Sequence, residues 1–163
     1  MINILEWLEE TSIAVWVSSS EWGYGGTLAA HGVGMAIVVG LTAVIALRIL
    51  GFPKGLAISG LRALLPLLLF GLALNTLSGV GLFMAAATDF FYNIAFQLKM
   101  AMIVVGIILV WQLDVHVLKP SAISGNNSFD PSPKAKKIAV GAILIWWFSV
   151  VLSGRLIGYI LYL

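Results

Sequence analysis

Long apolar runs, separated by short polar segments, dominate the pattern of this chain. Four of them are longer than about eighteen residues, which is enough for a helix to cross a bilayer: Thr27–Leu50, Leu61–Ala87, Ile94–Val117 and Lys137–Tyr162. A helix also satisfies its own backbone hydrogen bonds, as lipid requires. The pattern therefore predicts an all-α integral membrane four-helix bundle, with residues 1–163 forming one membrane domain.

The segments outside these runs are polar or rich in glycine and proline. Residues 118–136 predict a cytoplasmic loop, and Gly51–Gly55 predicts a tight turn. Residues 2–17 are too polar to span, but Ile4, Leu5 and Leu8 share one face of a helix. This predicts a short helix lying on the membrane surface, with a frayed terminus as the alternative.

Composition and charge agree with a membrane location. The 163 residues are 61% hydrophobic and 10% charged, whereas a soluble domain carries roughly a quarter charged residues. Cysteine is absent, which excludes disulfides, iron–sulfur clusters and c-type haem. Seven of the basic residues fall on the side shared by the first and third loops: Arg48, Lys54, Arg62, Lys119, Lys134, Lys136 and Lys137.

This charge distribution predicts an orientation. By the positive-inside rule the basic loops face the cytoplasm of a bacterial inner membrane, and both termini face the periplasm. The sequence pI near 9 is explained by these loops, so nucleic acid is not an expected partner. The expected partners are the lipid bilayer and other membrane subunits or further copies of the chain, as a homo-oligomer.

Ionisable residues inside predicted spans are costly and therefore informative. His31, Lys99 and Arg155 come from three different spans and fall at one predicted depth, near the periplasmic face. Glu21 and Asp89 border the same face as possible counter-ions. The pattern predicts a polar site there. In the alternative, Lys99 and Arg155 reach the headgroups independently and His31 is an ordinary hydrogen-bonded residue.

Small residues recur at four-residue spacing on three spans, which favours close helix packing within the chain or between copies. The predicted packing positions are Gly34, Gly71, Asn75, Gly79, Ser149, Ser153, Gly154 and Gly158.

A histidine within a span is also a candidate haem ligand. His116 lies near the opposite membrane face and cannot share one iron with His31. The sixth ligand would be Met84, Met100 or Met102, or His31 of a second copy; otherwise the iron is five-coordinate. Lys99 and Arg155 would neutralise the propionates, and Trp22 or Tyr159 would pack on the ring edge. No hydrolase, P-loop or zinc-protease motif is present, which favours a non-catalytic protein.

Several short motifs carry a resemblance. They are Trp22 nine residues before His31, Arg48-Ile49-Leu50-Gly51, Gly79-x-Gly81-x-Phe83, Tyr92-Asn93-x-x-Phe96-x-x-Lys99 and Gly154-Arg155-x-x-Gly158-Tyr159. Together they resemble an uncharacterised bacterial family of small four-helix inner-membrane proteins. That family is distantly similar to copper-resistance D proteins and small b-type cytochrome domains.

The sequence thus supports three functional hypotheses. The first is an electron-transfer component or accessory subunit of a respiratory or redox complex, with one haem b on His31. The second is a haem-free structural or assembly subunit that docks on partner helices or on itself. The third is a small transporter or channel, for which Asn75 and Ser78 would be the midplane site.

Overall fold

The computed structural model describes residues 2–52, 55–124 and 131–151, and these are almost entirely helical. The α-helices are α1 (Ile2–Glu9), α2 (Ser12–Ser19), α3 (Glu21–Ile49), α4 (Leu65–Met84), α5 (Ala87–Tyr92), α6 (Ile94–Leu113), α7 (Lys119–Ser124) and α8 (Pro133–Val151). A 3₁₀ segment, Ile58–Leu64, precedes α4, and a π-helical turn, Asp114–Leu118, follows α6.

Three helical stretches of the described chain are long and apolar enough to cross a membrane: Glu21–Ile49, Ile58–Met84 and Ile94–Ile123. Their outward faces carry large apolar side chains such as Leu69, Phe70, Leu77 and Trp111, all more than half exposed. Apolar faces of this extent need a non-aqueous partner, so the fold is compatible with a membrane protein. The fourth predicted span begins within α8, and its residues 152–162 lie outside the described residues.

The first span starts earlier than predicted, at Glu21 rather than Thr27. The Ser20 side chain accepts a hydrogen bond from the Gly23 backbone N–H at 3.1 Å, which caps the helix and extends it over a polar and glycine-rich segment. At the other end Gly51 adopts φ +107° and terminates the helix.

The predicted surface helix is two helices rather than one. The chain breaks at Thr11, whose hydroxyl caps α2 by accepting from the Ala14 backbone N–H. The α1 helix is tied to α5 because a Glu9 carboxylate oxygen accepts from the Thr88 backbone N–H at 2.7 Å. Glu9 thereby supplies the cap that Ala86, the residue preceding α5, does not provide.

The predicted loop at residues 118–136 also contains helix. Pro120 lacks the N–H that would bond to the His116 carbonyl, and its ring crowds that carbonyl. The backbone widens into a π turn there, in which the Lys119 N–H reaches the Asp114 carbonyl. It then continues as α7, and α8 begins at Pro133 instead of Lys137.

The long helices form two hairpin-like pairs. Helix α3 packs on α4, α6 packs on α8, and the pairs join where α3 meets α8. A buried apolar cluster lies at the end where α3 and α6 finish, around Ile45, Ile49, Leu61, Leu113 and Leu118. Arg62 and Asp114 form an ion pair of 3.1 Å at that end. We call it the basic end, and the opposite end, where α4 leads into α5, the polar-site end.

Candidate functional site

The polar-site end is organised by close packing between α3 and α4. A Cβ atom on Gly34 would lie 2.6 Å from the Asn75 backbone nitrogen and 2.8 Å from the Gly71 carbonyl oxygen. The two backbones therefore approach to a distance that only glycine permits. Gly71, Asn75 and Gly79 are spaced four residues apart, so they form one stripe on α4 facing α3.

His31, on α3, lies against this stripe. Its imidazole lies beside Gly79, where an added Cβ would be 3.1 Å from Cε1. Asn75 binds the same residue twice: its carbonyl oxygen is 3.0 Å from His31 Nδ1, and its side-chain amide donates to the His31 carbonyl at 2.9 Å. The glycine makes room for the ring, and the asparagine fixes its position.

The contact with the Asn75 carbonyl favours one tautomer of His31. A backbone carbonyl can only accept hydrogen bonds, so this contact, the shortest that Nδ1 makes, favours a proton on Nδ1. The Asn75 side-chain amide lies farther from the same nitrogen, at 3.4 Å. Ser78 Oγ lies 3.3 Å from the same nitrogen and donates its own proton to the Leu74 carbonyl at 2.6 Å. In the favoured tautomer a neutral His31 has its lone pair on Nε2.

Lys99 faces that lone pair from α6. Its Nζ lies 3.3 Å from His31 Nε2, and the residue is only 9% exposed. In the described parts of the chain no carboxylate lies within ion-pair distance of Lys99. Glu21 and Asp89, the expected counter-ions, are exposed instead. The partner of this buried lysine is therefore an imidazole and not a carboxylate.

Two positive charges at this separation would repel strongly. At 3.3 Å and an effective dielectric constant of about 20, the repulsion is about 5 kcal/mol. This repulsion favours one ionising proton on the histidine and lysine together over two. With Nδ1 committed to Asn75, that proton lies between Nζ and Nε2.

The same geometry bears on the predicted haem ligand, which stays a prediction. Iron would have to bind His31 Nε2, which is hydrogen-bonded to Lys99 in this arrangement, and the opposite side of the ring lies against α4 at Gly79. An axial haem bond does not fit unless Lys99 turns away. In the described residues there is also no cluster of three or more histidine, aspartate or glutamate side chains that could hold a metal ion.

The other predicted site residues are distributed as follows. Met84 is half-buried at the end of α4, and Met102 is half-buried near the middle of α6. Trp22 is 81% exposed on the first turn of α3. Ser149 is buried on α8. The remaining predicted positions lie outside the described residues: Ser153, Gly154, Arg155, Gly158 and Tyr159.

Sequence reasoning placed His31 and Lys99 at one level but missed their direct contact. Asn75 is predicted to pack α4 against a neighbouring helix, and Asn75 with Ser78 is the predicted midplane site of a transporter; neither is predicted to contact His31. The four-residue spacing of Gly71, Asn75 and Gly79 was the available signal for a stripe facing another helix. Nothing in the sequence identified His31 as the side chain on that stripe.

Comparison with known proteins adds a family assignment. No curated protein and no solved structure matches the chain. Residues 4–160 match a family of unknown function, DUF6644. This agrees with the uncharacterised family predicted from the motifs, while the similarity to copper-resistance D proteins and cytochrome domains stays a prediction. Since the match covers nearly all of its length, the chain belongs to the DUF6644 family.

Proposed function

We propose that this protein is a four-span accessory component of the bacterial inner membrane that accepts and delivers one proton at the His31–Lys99 pair, near the periplasmic face. The observation that carries the proposal is the 3.3 Å contact between Lys99 Nζ and His31 Nε2 without a carboxylate among the described residues. Ionisable groups within membrane spans commonly mark proton relays.

The orientation within this proposal rests on charge. The basic end carries Arg48, Arg62, Lys119 and the lysines at the start of α8, and the positive-inside rule directs such an end to the cytoplasm. The His31–Lys99 pair lies at the opposite end of the helices and would then face the periplasm, as would both termini.

The proposal predicts the number of protons that the pair binds. The whole protein and the variants H31Q, K99M and H31Q/K99M are titrated in the same detergent over about pH 5 to 11, the range of these groups. Comparison with the double variant cancels all other titrating groups. Over this pH range, wild type should take up one proton more than the double variant. Each single variant should also take up one proton more than the double variant.

A count of two protons would contradict the proposal. If wild type binds two protons more than the double variant, His31 and Lys99 ionise independently and do not share a proton. The purified wild-type protein should also be titrated after exhaustive removal of lipid, so that bound anions do not contribute.

A haem-binding electron-transfer component of a redox complex is the second candidate, and one observation favours it. Histidines that bind metals usually donate their other ring N–H to a backbone carbonyl, as His31 Nδ1 does to Asn75. Lys99 would then have to leave Nε2 for a propionate. This candidate requires a Soret band in the purified protein that shifts on dithionite reduction and is absent from H31A. The proton-sharing arrangement alone gives a colourless protein.

A further inference from the structure

The Lys99 ammonium has hydrogen-bonding capacity that the described residues do not use. It carries three N–H donors, one of which points to His31 Nε2, and no other acceptor in the described residues lies within hydrogen-bond distance. A buried charge and buried donors are both costly without partners. The site therefore has a positive charge and free donors to offer an added anion.

An apolar groove of about 250 Å³ lies between α4 and α6. Its walls include Val38, Leu68 and Trp146, and Asp114 borders it at the basic end. This volume corresponds to about eight water molecules in the liquid, but the walls are almost entirely hydrocarbon. The groove is suited to part of one hydrocarbon chain.

The groove and the His31–Lys99 pair lie on the same helix faces. Val38 follows His31 by seven residues, Leu68 precedes Asn75 by seven, and Gly106, against which Trp146 packs, follows Lys99 by seven. Residues seven apart share a helix face and are separated by about 10 Å along the axis. We call this strip, with His31, Asn75 and Lys99 at one end and the groove below them, the interhelix seam.

We propose that the interhelix seam binds a single-chain lipid carboxylate, a long-chain fatty acid, with its carboxylate on Lys99 Nζ and its hydrocarbon chain in the groove. Charge complementarity selects a carboxylate over a neutral quinone ring, since the ammonium has no described counter-charge. The groove's volume of about 250 Å³ suits one hydrocarbon chain better than the two of a phospholipid. The inference rests on the proposed function, because the carboxylate binds the proton-holding pair itself.

Photolabelling of the whole, delipidated protein in detergent tests this site. The probe is hexadecanoic acid with a mid-chain diazirine, and labelled peptides are identified by mass spectrometry. Label is expected on α4 and α6 at Leu68, Leu72 or Ile107. Excess hexadecanoate should displace it, whereas hexadecanoate methyl ester, which keeps the chain and lacks the charge, should not.

A matched pair of variants isolates the role of the charge. Labelling should fall about tenfold in K99M, as expected for loss of a charge-assisted hydrogen bond, and should be unchanged in K119M, whose lysine is exposed at the basic end. Equal labelling in K99M and wild type would overturn the proposal. Displacement of the label by the methyl ester as strongly as by hexadecanoate would also overturn the proposal. So would displacement by a short-chain quinone or an anionic phospholipid when hexadecanoate does not displace the label.

Failure of this inference is distinguishable from failure of the proposed function. The proton count and the His31 tautomer are measured without added fatty acid, so they stand if only the ligand is wrong. If those two measurements fail while labelling follows the Lys99 charge, the pair binds an anion but does not share a proton.

Discussion

Replacing His31 with leucine while Lys99 remains is expected to destabilise the protein by about 1.5–3 kcal/mol, the usual contribution of a hydrogen bond to a charged group. The leucine fills the space beside Gly79, but it leaves the Lys99 ammonium, 9% exposed, without its described hydrogen-bond acceptor. Unfolding is followed by circular dichroism in one detergent at fixed detergent concentration.

The variants K99M and H31L/K99M complete a double-mutant cycle with H31L and serve as its controls. Lys99→Met removes the charge and keeps most of the apolar stem, so K99M should be close to wild type in stability. In H31L/K99M no buried charge remains, and most of the stability lost in H31L should return. Strictly additive effects of the two substitutions would show that Lys99 and His31 are not coupled.

Gly34→Ala is expected to cost about 1–3 kcal/mol through overpacking. The added methyl group would lie 2.6 Å from the Asn75 backbone nitrogen and 2.8 Å from the Gly71 carbonyl oxygen. Backbone atoms cannot rotate aside as a side chain can, so α3 and α4 must separate. That separation would also pull His31 from the Asn75 carbonyl.

Gly32→Ala is the matched control, two residues away on the same helix. A Cβ there meets nothing within 4 Å, and alanine is favoured over glycine within a helix by about 0.5–1 kcal/mol. G32A should therefore be as stable as wild type or slightly more so. Equal stability of G34A and G32A in thermal unfolding would show that α3 and α4 do not approach closely at Gly34.

The sequence predicted the helical fold class because apolar runs of this length leave the backbone few other conformations in lipid. It did not predict the helix ends, which depend on single local interactions. The Ser20 cap starts α3 six residues early, and Pro120 turns the end of α6 into a π turn. The Glu9 cap on α5 joins residues 79 positions apart, and no local pattern encodes it.

The depth of the site in the membrane was predictable from the sequence, but the contacts within the site were not. Counting residues along each helix brought His31 and Lys99 to one level, since the rise per residue is constant. The rotation of each helix about its axis decides which side chains meet, and packing at Gly34 and Gly71 sets that rotation for α3 and α4. The position of Lys99 in the sequence does not show whether its side chain contacts a haem propionate or the His31 imidazole.

The most direct test of the shared proton is the tautomer of His31 in the bilayer. The H116Q variant, labelled with ¹⁵N at histidine, leaves His31 as the one labelled residue for solid-state NMR at neutral pH. A proton shared by His31 and Lys99 requires a protonated Nδ1 and an unprotonated, hydrogen-bonded Nε2. In K99M the hydrogen bond to Nε2 should be lost. A neutral ring protonated at Nε2 could neither donate Nδ1–H to Asn75 nor accept from Lys99, and would contradict the shared proton.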